Sequence, residues 1–300
     1  MKAFIIRIFI FSILAISLFA AGEWYIENLP NTAHDKHQWM QEHSREVQTL
    51  ILGSSHTFYG ICPQEMNGCA YSVAQVSQTY RYDEWLLKNY PMDNLKAIVI
   101  PFSYFSFWED YESGVGDDYI SRYRIYMDCP YHSRFSEYGL ECFHLTTFCE
   151  KLKSLFRPPT TTWDSYGWGT NYKACFKKEE WDNGKERSKS HTYTNDVAVE
   201  LNKKILGSIF RHCKERNIKV LFISTPLSPE YLKHRDSTQI LRNNIVLKEL
   251  LHKHPEVIYL NFENDARFKA EDFYDADHLS DYGAIKLTHI INKQLSVDHE

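Results

Sequence analysis

Apolar positions along this chain fall into short runs separated by longer amphipathic stretches. Val47–Leu52, Ala70–Ala74, Leu95–Ile100, Ile218–Ser224 and Val257–Leu260 are mostly apolar and of strand length. Between and after them, helical spacing predicts Tyr80–Tyr90, with Trp85, Leu86 and Leu87 on its apolar face. It also predicts Asp196–Arg216 behind Asn195 as N-cap, Ser228–His254 interrupted near Arg235–Ser237, and a closing helix Asp281–Leu295. Pro101 stops the third strand, and Thr225-Pro226 closes the fourth. Strands alternating with helices of this length predict an α/β fold: βαβ units around a doubly wound, mostly parallel sheet of about five strands. Near-continuous apolar strands require burial on both faces, hence helices on both sides of the sheet. Ligands of such sheets bind beyond the carboxyl ends of the strands. No internal repeat or heptad pattern is present.

Outside this alternating frame lie three segments. Residues 1–22 combine Lys2 and Arg7 with an uncharged apolar run from Ile8 to Ala21, fourteen residues, followed by the small-residue site Ala20-Ala21-Gly22. Counted from Ala3 the run is nineteen residues, roughly 28 Å of helix. That length predicts either a cleaved signal peptide or a retained anchor, with the anchor favoured, and places the rest of the chain outside the cytoplasmic membrane or on its outer side. Residues 23–45, with Asn31, Thr32, His34, Asp35, Lys36 and His37 in close succession, predict a connector to a domain spanning 46–300. Within that domain, residues 103–195 form an irregular insertion rich in Tyr, Trp, Ser, Thr and Gly.

Composition narrows the function. A formal net charge of -5 and the lack of a basic run argue against nucleic acid as a partner. Seven cysteines leave at least one unpaired within the chain. Cys62 and Cys69 are near enough in sequence to pair in an exported domain, and their spacing fits no zinc site. Most of the seven read as small buried hydrophobes.

Two motifs at opposite ends carry the chemistry. Leu52-Gly53-Ser54-Ser55-His56 follows the first strand, and Asp275-Ala276-Asp277-His278 precedes the last helix, with Asp281-Tyr282-Gly283-Ala284 after it. Taken singly, Ser55 is an N-cap serine and His278 a surface histidine at a helix start. Taken together, in this order and on the same rim of the sheet, they are the parts of a Ser-His-Asp triad, in which a serine needs a base and the base needs an orienting acid.

On these residues the chain resembles the SGNH, or GDSL-type, hydrolase superfamily, in particular exported bacterial members that handle acyl groups on cell-surface glycans. The resemblance implies a flavodoxin-like sheet. It makes Ser55 the nucleophile, His278 the general base and Asp275 the orienting acid, with Asp277 the less favoured candidate for that last role. Ser54 stands where the family has a non-catalytic Asp, and His56 reads as local structure. The family's oxyanion donors map onto the Ser55 backbone N–H, the backbone N–H of Gln75 in place of a glycine, and, lacking the family asparagine, the hydroxyl of Ser103. The implied activity is an esterase or O-acyltransferase acting on an acylated small molecule or polysaccharide, without cofactor. The missing asparagine keeps open a non-catalytic glycan-binding or scaffold protein on the same frame.

The aromatic insertion bears on that choice. Trp108, Tyr111, Tyr119, Tyr123, Tyr126, Tyr131, Trp163, Tyr166, Trp168 and Tyr172 either stack on sugar rings or cover a sheet edge as a subsidiary core. Trp163 and Trp168, in a glycine-bearing stretch, are the expected substrate contacts. Asp275, Asp277 and His278 lack a second ligand cluster, so no metal is expected; Asp117-Asp118 reads as a solvated loop.

Overall fold

The computed structural model describes residues 1–110, 117–130, 140–141, 145–157, 160–174 and 178–296. In chain order the helices and strands are α1 (Lys2–Glu27), α2 (Thr32–His43), β1 (Thr49–Ile51), α3 (Ser55–Gly60), β2 (Ala70–Ser72), α4 (Tyr80–Asn89) and β3 (Ala97–Pro101). Next come α5 (Asp117–Met127), α6 (Leu145–Leu152), α7 (Lys178–Asp182), α8 (Gly184–Ser190) and α9 (Asp196–Glu215). The chain closes with β4 (Lys219–Ser224), α10 (Pro229–Lys233), α11 (Ser237–Lys253), β5 (Ile258–Asn261) and α12 (Asp281–Ser296). Two compact units result, Met1–His37 with Tyr111–Thr161, and Gln38–Asp110 with Thr162–Glu300.

The larger unit holds a five-stranded, all-parallel sheet in the order β2-β1-β3-β4-β5. This is a doubly wound α/β fold. The chain winds one way from β1 to β2 and the other way from β1 to β3, so the switch point lies at the ends of β1 and β3. Leu50 pairs with Tyr71 on one side and Ile98 on the other, and Ile98 pairs in turn with Val220. Leu50, Ile98, Val99, Leu221 and Phe222 are wholly buried, which is why these strands read as continuous apolar runs. The Asn195 side chain accepts the Ala198 N–H and starts α9.

Two glycines are fixed by space, and the first also by its dihedral. Gly53 has φ +104°, and a Cβ there would stand 2.2 Å from the ring carbons of Pro101. A Cβ on Gly283 would stand 2.0 Å from the Asp272 carbonyl oxygen, so only glycine lets α12 begin that close to the loop before it.

In the smaller unit, α1 is long and apolar enough to cross a membrane, and its central window is unburied. The helix does not stop at the small-residue site: it continues to Glu27, where Ile26 is buried. Phe19 stacks near Phe148 of α6, and the Glu23 carboxylate accepts the Glu141 N–H. The predicted connector is thus largely helical, because Asn31 accepts the N–H groups of Ala33 and His34 and caps α2. Asp117-Asp118 opens α5 and is not a loop.

Candidate active site

The strand-to-helix turn after β1 sets the first element. Gly53 turns the chain, Ser54 occupies the N-cap position and Ser55 opens α3. The N–H groups of Thr57 and Phe58 both reach the Ser54 carbonyl. Those of Ser55 and His56 have no acceptor among the described residues, as expected for a first turn.

The second element is the turn before α12. Asp275 accepts the backbone N–H groups of Asp277 and His278 through one carboxylate oxygen. The same carboxylate lies 3.0 Å from His278 Nδ1 through each oxygen. His278 Nε2 is 2.9 Å from Ser55 Oγ. An ionised carboxylate only accepts, so Nδ1 carries the proton and Nε2 is left to take one from the serine hydroxyl. Ser55 is half-buried while the His278 ring is enclosed, with 2% of its side chain accessible. The base is therefore shielded from solvent. Burial disfavours the imidazolium, but the carboxylates of Asp277 and Asp275 outweigh that cost and hold the His278 pKa above its ordinary 6.5.

Asp277 lies farther from His278 Nδ1, at 3.4 Å, and has its own partners. Fully buried, it accepts from Arg187 Nε at 2.8 Å and from His56 Nε2 at 3.3 Å. Burial alone would protonate it; the charge of His278 and the hydrogen bond from His56 hold it well below the usual carboxylate range. His56 is pushed down by burial and stays neutral. Its Nε2–H faces Asp277, so its Nδ1 accepts from Ser103 Oγ at 2.8 Å. His191, driven to about 3 by burial, has its Nδ1 2.7 Å from the Tyr231 hydroxyl and 3.6 Å from Asp277 Oδ2. His56, Asp277 and His278 bring possible ligand atoms within 4.8 Å of one another, but each of those atoms already serves a hydrogen-bond or ion-pair partner.

Two of the three expected oxyanion donors are engaged elsewhere. The Gln75 N–H donates to the Gly53 carbonyl at 3.0 Å. The Ser103 hydroxyl donates to His56, and its N–H to Ser106 Oγ at 3.0 Å. Of the expected donors, the Ser55 N–H, joined by that of His56, has no acceptor among the described residues and can face an oxyanion.

Of the two tryptophans expected at the substrate, one is buried and the other partly buried. Trp168 is buried with Cys62 and Ala284 and gives its indole N–H to the Tyr59 carbonyl at 3.0 Å. Trp163 packs at the margin of the main core. Trp108, Tyr123 and Tyr126 are also buried, whereas Tyr166 is exposed. Tyr111 and Tyr131 lie outside the described residues, as does the side chain of Tyr119. Among the described members of that set, Tyr172 stands beside the chemistry. Its ring stacks between Tyr59 at 3.6 Å and Tyr274 at 4.0 Å, and stands edge-on to His278 at 5.3 Å.

Sequence reasoning missed Arg187, His191 and Asp83. Arg187 sits in a polar run with no local mark. Asp83 did carry one, an acid on a helix between Tyr82 and Trp85 at otherwise apolar spacing; it is fully buried and accepts the Gly53 N–H at 2.7 Å. Cys62 and Cys69 are free thiols, with burial raising Cys62 to about 11; Cys142 and Cys175 lie outside the described residues.

Residues 177–295 match a family described as a protein of unknown function (DUF1574). The match takes in Arg187, His191, Asp275, Asp277 and His278, and leaves out Ser55. No curated protein matches the chain.

Proposed function

We propose that this protein is an exported, membrane-anchored serine esterase or O-acyltransferase of the SGNH kind, acting on an ester-linked acyl group of a cell-surface or exported glycan. The observation that carries the reading is the continuous chain from Ser55 Oγ through His278 to Asp275, with both hydrogen-bond steps near 3 Å. In the reaction, Ser55 Oγ attacks the acyl carbonyl as its proton passes to His278 Nε2. Asp275 holds the resulting imidazolium through Nδ1–H. The first-turn N–H groups of α3 face the oxyanion. His278 then returns the proton to the departing alcohol, leaving an acyl-Ser55 ester. Water gives hydrolysis by the reverse sequence; a sugar hydroxyl gives transfer. Retention of α1 as an anchor is supported by its continuity past Gly22 and by the contacts of Glu23 and Phe19. The test is turnover of a chromogenic acetyl ester, with and without an added glycan acceptor. Acetyl release that disappears in Ser55→Ala is expected, and acetylated glycan in the acceptor arm distinguishes transfer from hydrolysis.

A second reading, a non-catalytic glycan-binding protein on this frame, is favoured by one specific observation: the N–H of Gln75 and the hydroxyl of Ser103 are both engaged within the protein. Loss of such a donor costs about 2.7–4 kcal/mol of transition-state stabilisation. Glycan binding untouched by Ser55→Ala, with no ester turnover, is its expected signature.

A further inference from the structure

We propose that a single alkali cation occupies the small cavity behind the nucleophile turn, held by the Asp83 carboxylate and the hydroxyls of Ser54 and Thr79. The cavity has room for one water-sized sphere, about 10 Å³. Three buried oxygens line it without a hydrogen-bond partner: Ser54 Oγ, Thr79 Oγ1 and Asp83 Oδ2. Asp83 is 0% exposed, Ser54 4% and Thr79 5%. The other carboxylate oxygen is already used, accepting from Gly53 N–H at 2.7 Å and Gln78 Nε2 at 2.6 Å.

Charge separates the cation from a water. The free carboxylate oxygen of Asp83 belongs to this cavity, and no Lys, Arg or His is among the described residues that line it. A water could complete the hydrogen bonds and would still leave buried negative charge uncompensated, which is far more costly than an unmet hydrogen bond. Size and donor set then choose among cations. The donors are all hard oxygens, which excludes soft metals. Magnesium keeps several waters and calcium takes six to eight oxygens, more than a one-sphere cavity with a single free carboxylate oxygen on Asp83 provides.

Position gives the site a consequence. Ser54 directly precedes Ser55, and Asp83 holds the N–H of Gly53, so the cation would fix the turn that presents the nucleophile. With the cavity empty, burial pushes Asp83 up to about 7; a proton and the cation compete for the same oxygen, and the cation wins above that value.

The experiment uses the full chain in detergent, with thermal midpoints in about 0.2 M sodium, potassium or N-methylglucamine chloride at equal ionic strength. At about pH 8.5, sodium or potassium should raise the midpoint by about 3 °C over N-methylglucamine. The difference should disappear at about pH 5.5, where Asp83 binds a proton, and in Asp83→Asn at either pH. Should Asp83→Asn fail to fold, Thr79→Val removes one ligand oxygen and should shrink the difference. A wild-type midpoint independent of cation identity at the higher pH overturns the site, and so does a cation response unchanged in the folded variants. Neither outcome depends on ester turnover.

Discussion

At the scale of single residues, the site's logic is a division of labour between two carboxylates two positions apart. Asp275 meets the His278 ring, and Asp277 faces Arg187, His56 and His191. Asp275→Asn offers Nδ1 an amide that can settle in the wrong sense, so the ring loses its enforced tautomer. Ester turnover should fall by about 10³–10⁴-fold with little change in KM. The raised His278 pKa fixes the direction of the pH profile. The base is neutral only above that value, so kcat/KM should climb through a pKa above 6.5 and approach its plateau on the alkaline side. Asp277→Asn removes one of the two charges that raise it and should move that limb to lower pH, a shift read directly from the profile. Asp275 and His278 were legible in the sequence because their spacing is local. The commitment of Gln75 and Ser103 was not, since it depends on partners brought in by folding: Gly53 for one and His56 for the other.

At the scale of elements, the strand-turn-helix after β1 depends on close approach. Gly53→Ala must both adopt a positive φ and push into Pro101. It should cost about 3 kcal/mol or more and lower the thermal midpoint, with the remaining folded fraction poorly active. In the same way Trp168→Phe leaves the Tyr59 carbonyl without its indole donor. A loss of about 1–3 kcal/mol in unfolding free energy is expected, with ester KM unchanged, because the ring belongs to the core and not to the substrate. Tyr172→Ala, by contrast, should raise KM for a glycan ester, since that ring stands at His278. Helix and strand positions were readable from periodicity: β3, β4, α9 and α12 lie within a residue or two of the pattern. The helix α2 was not, because its polar sequence has no apolar stripe and its start depends on the Asn31 cap.

At the scale of the whole molecule, the parallel sheet brings residues more than two hundred positions apart to one rim. This follows from the winding order, in which β1 sits inside the sheet and every carboxyl end points the same way. The pattern of apolar runs carried that much. It could not separate the insertion into its parts, because aromatic content looks the same whether rings are buried, as Trp108 and Tyr123 are, or exposed like Tyr166. Stability against pH should show opposing contributions. Asp277, depressed in the folded state, stabilises above the ordinary carboxylate pKa, and that contribution is lost as pH falls through its lowered value. Asp83, raised to about 7 with its cavity empty, destabilises increasingly as pH climbs from about 4 to about 7. In N-methylglucamine, the midpoint of Asp83→Asn relative to wild type should therefore rise across that interval.

The central claim is that Ser55 is an activated nucleophile in the folded protein, and intact-mass spectrometry after exposure to a fluorophosphonate tests it most directly. One adduct per chain, mapped to Ser55, absent in Ser55→Ala and strongly slowed in Asp275→Asn, is the predicted result. Folded wild-type protein that takes up no adduct, or takes one up equally well in Ser55→Ala, contradicts it.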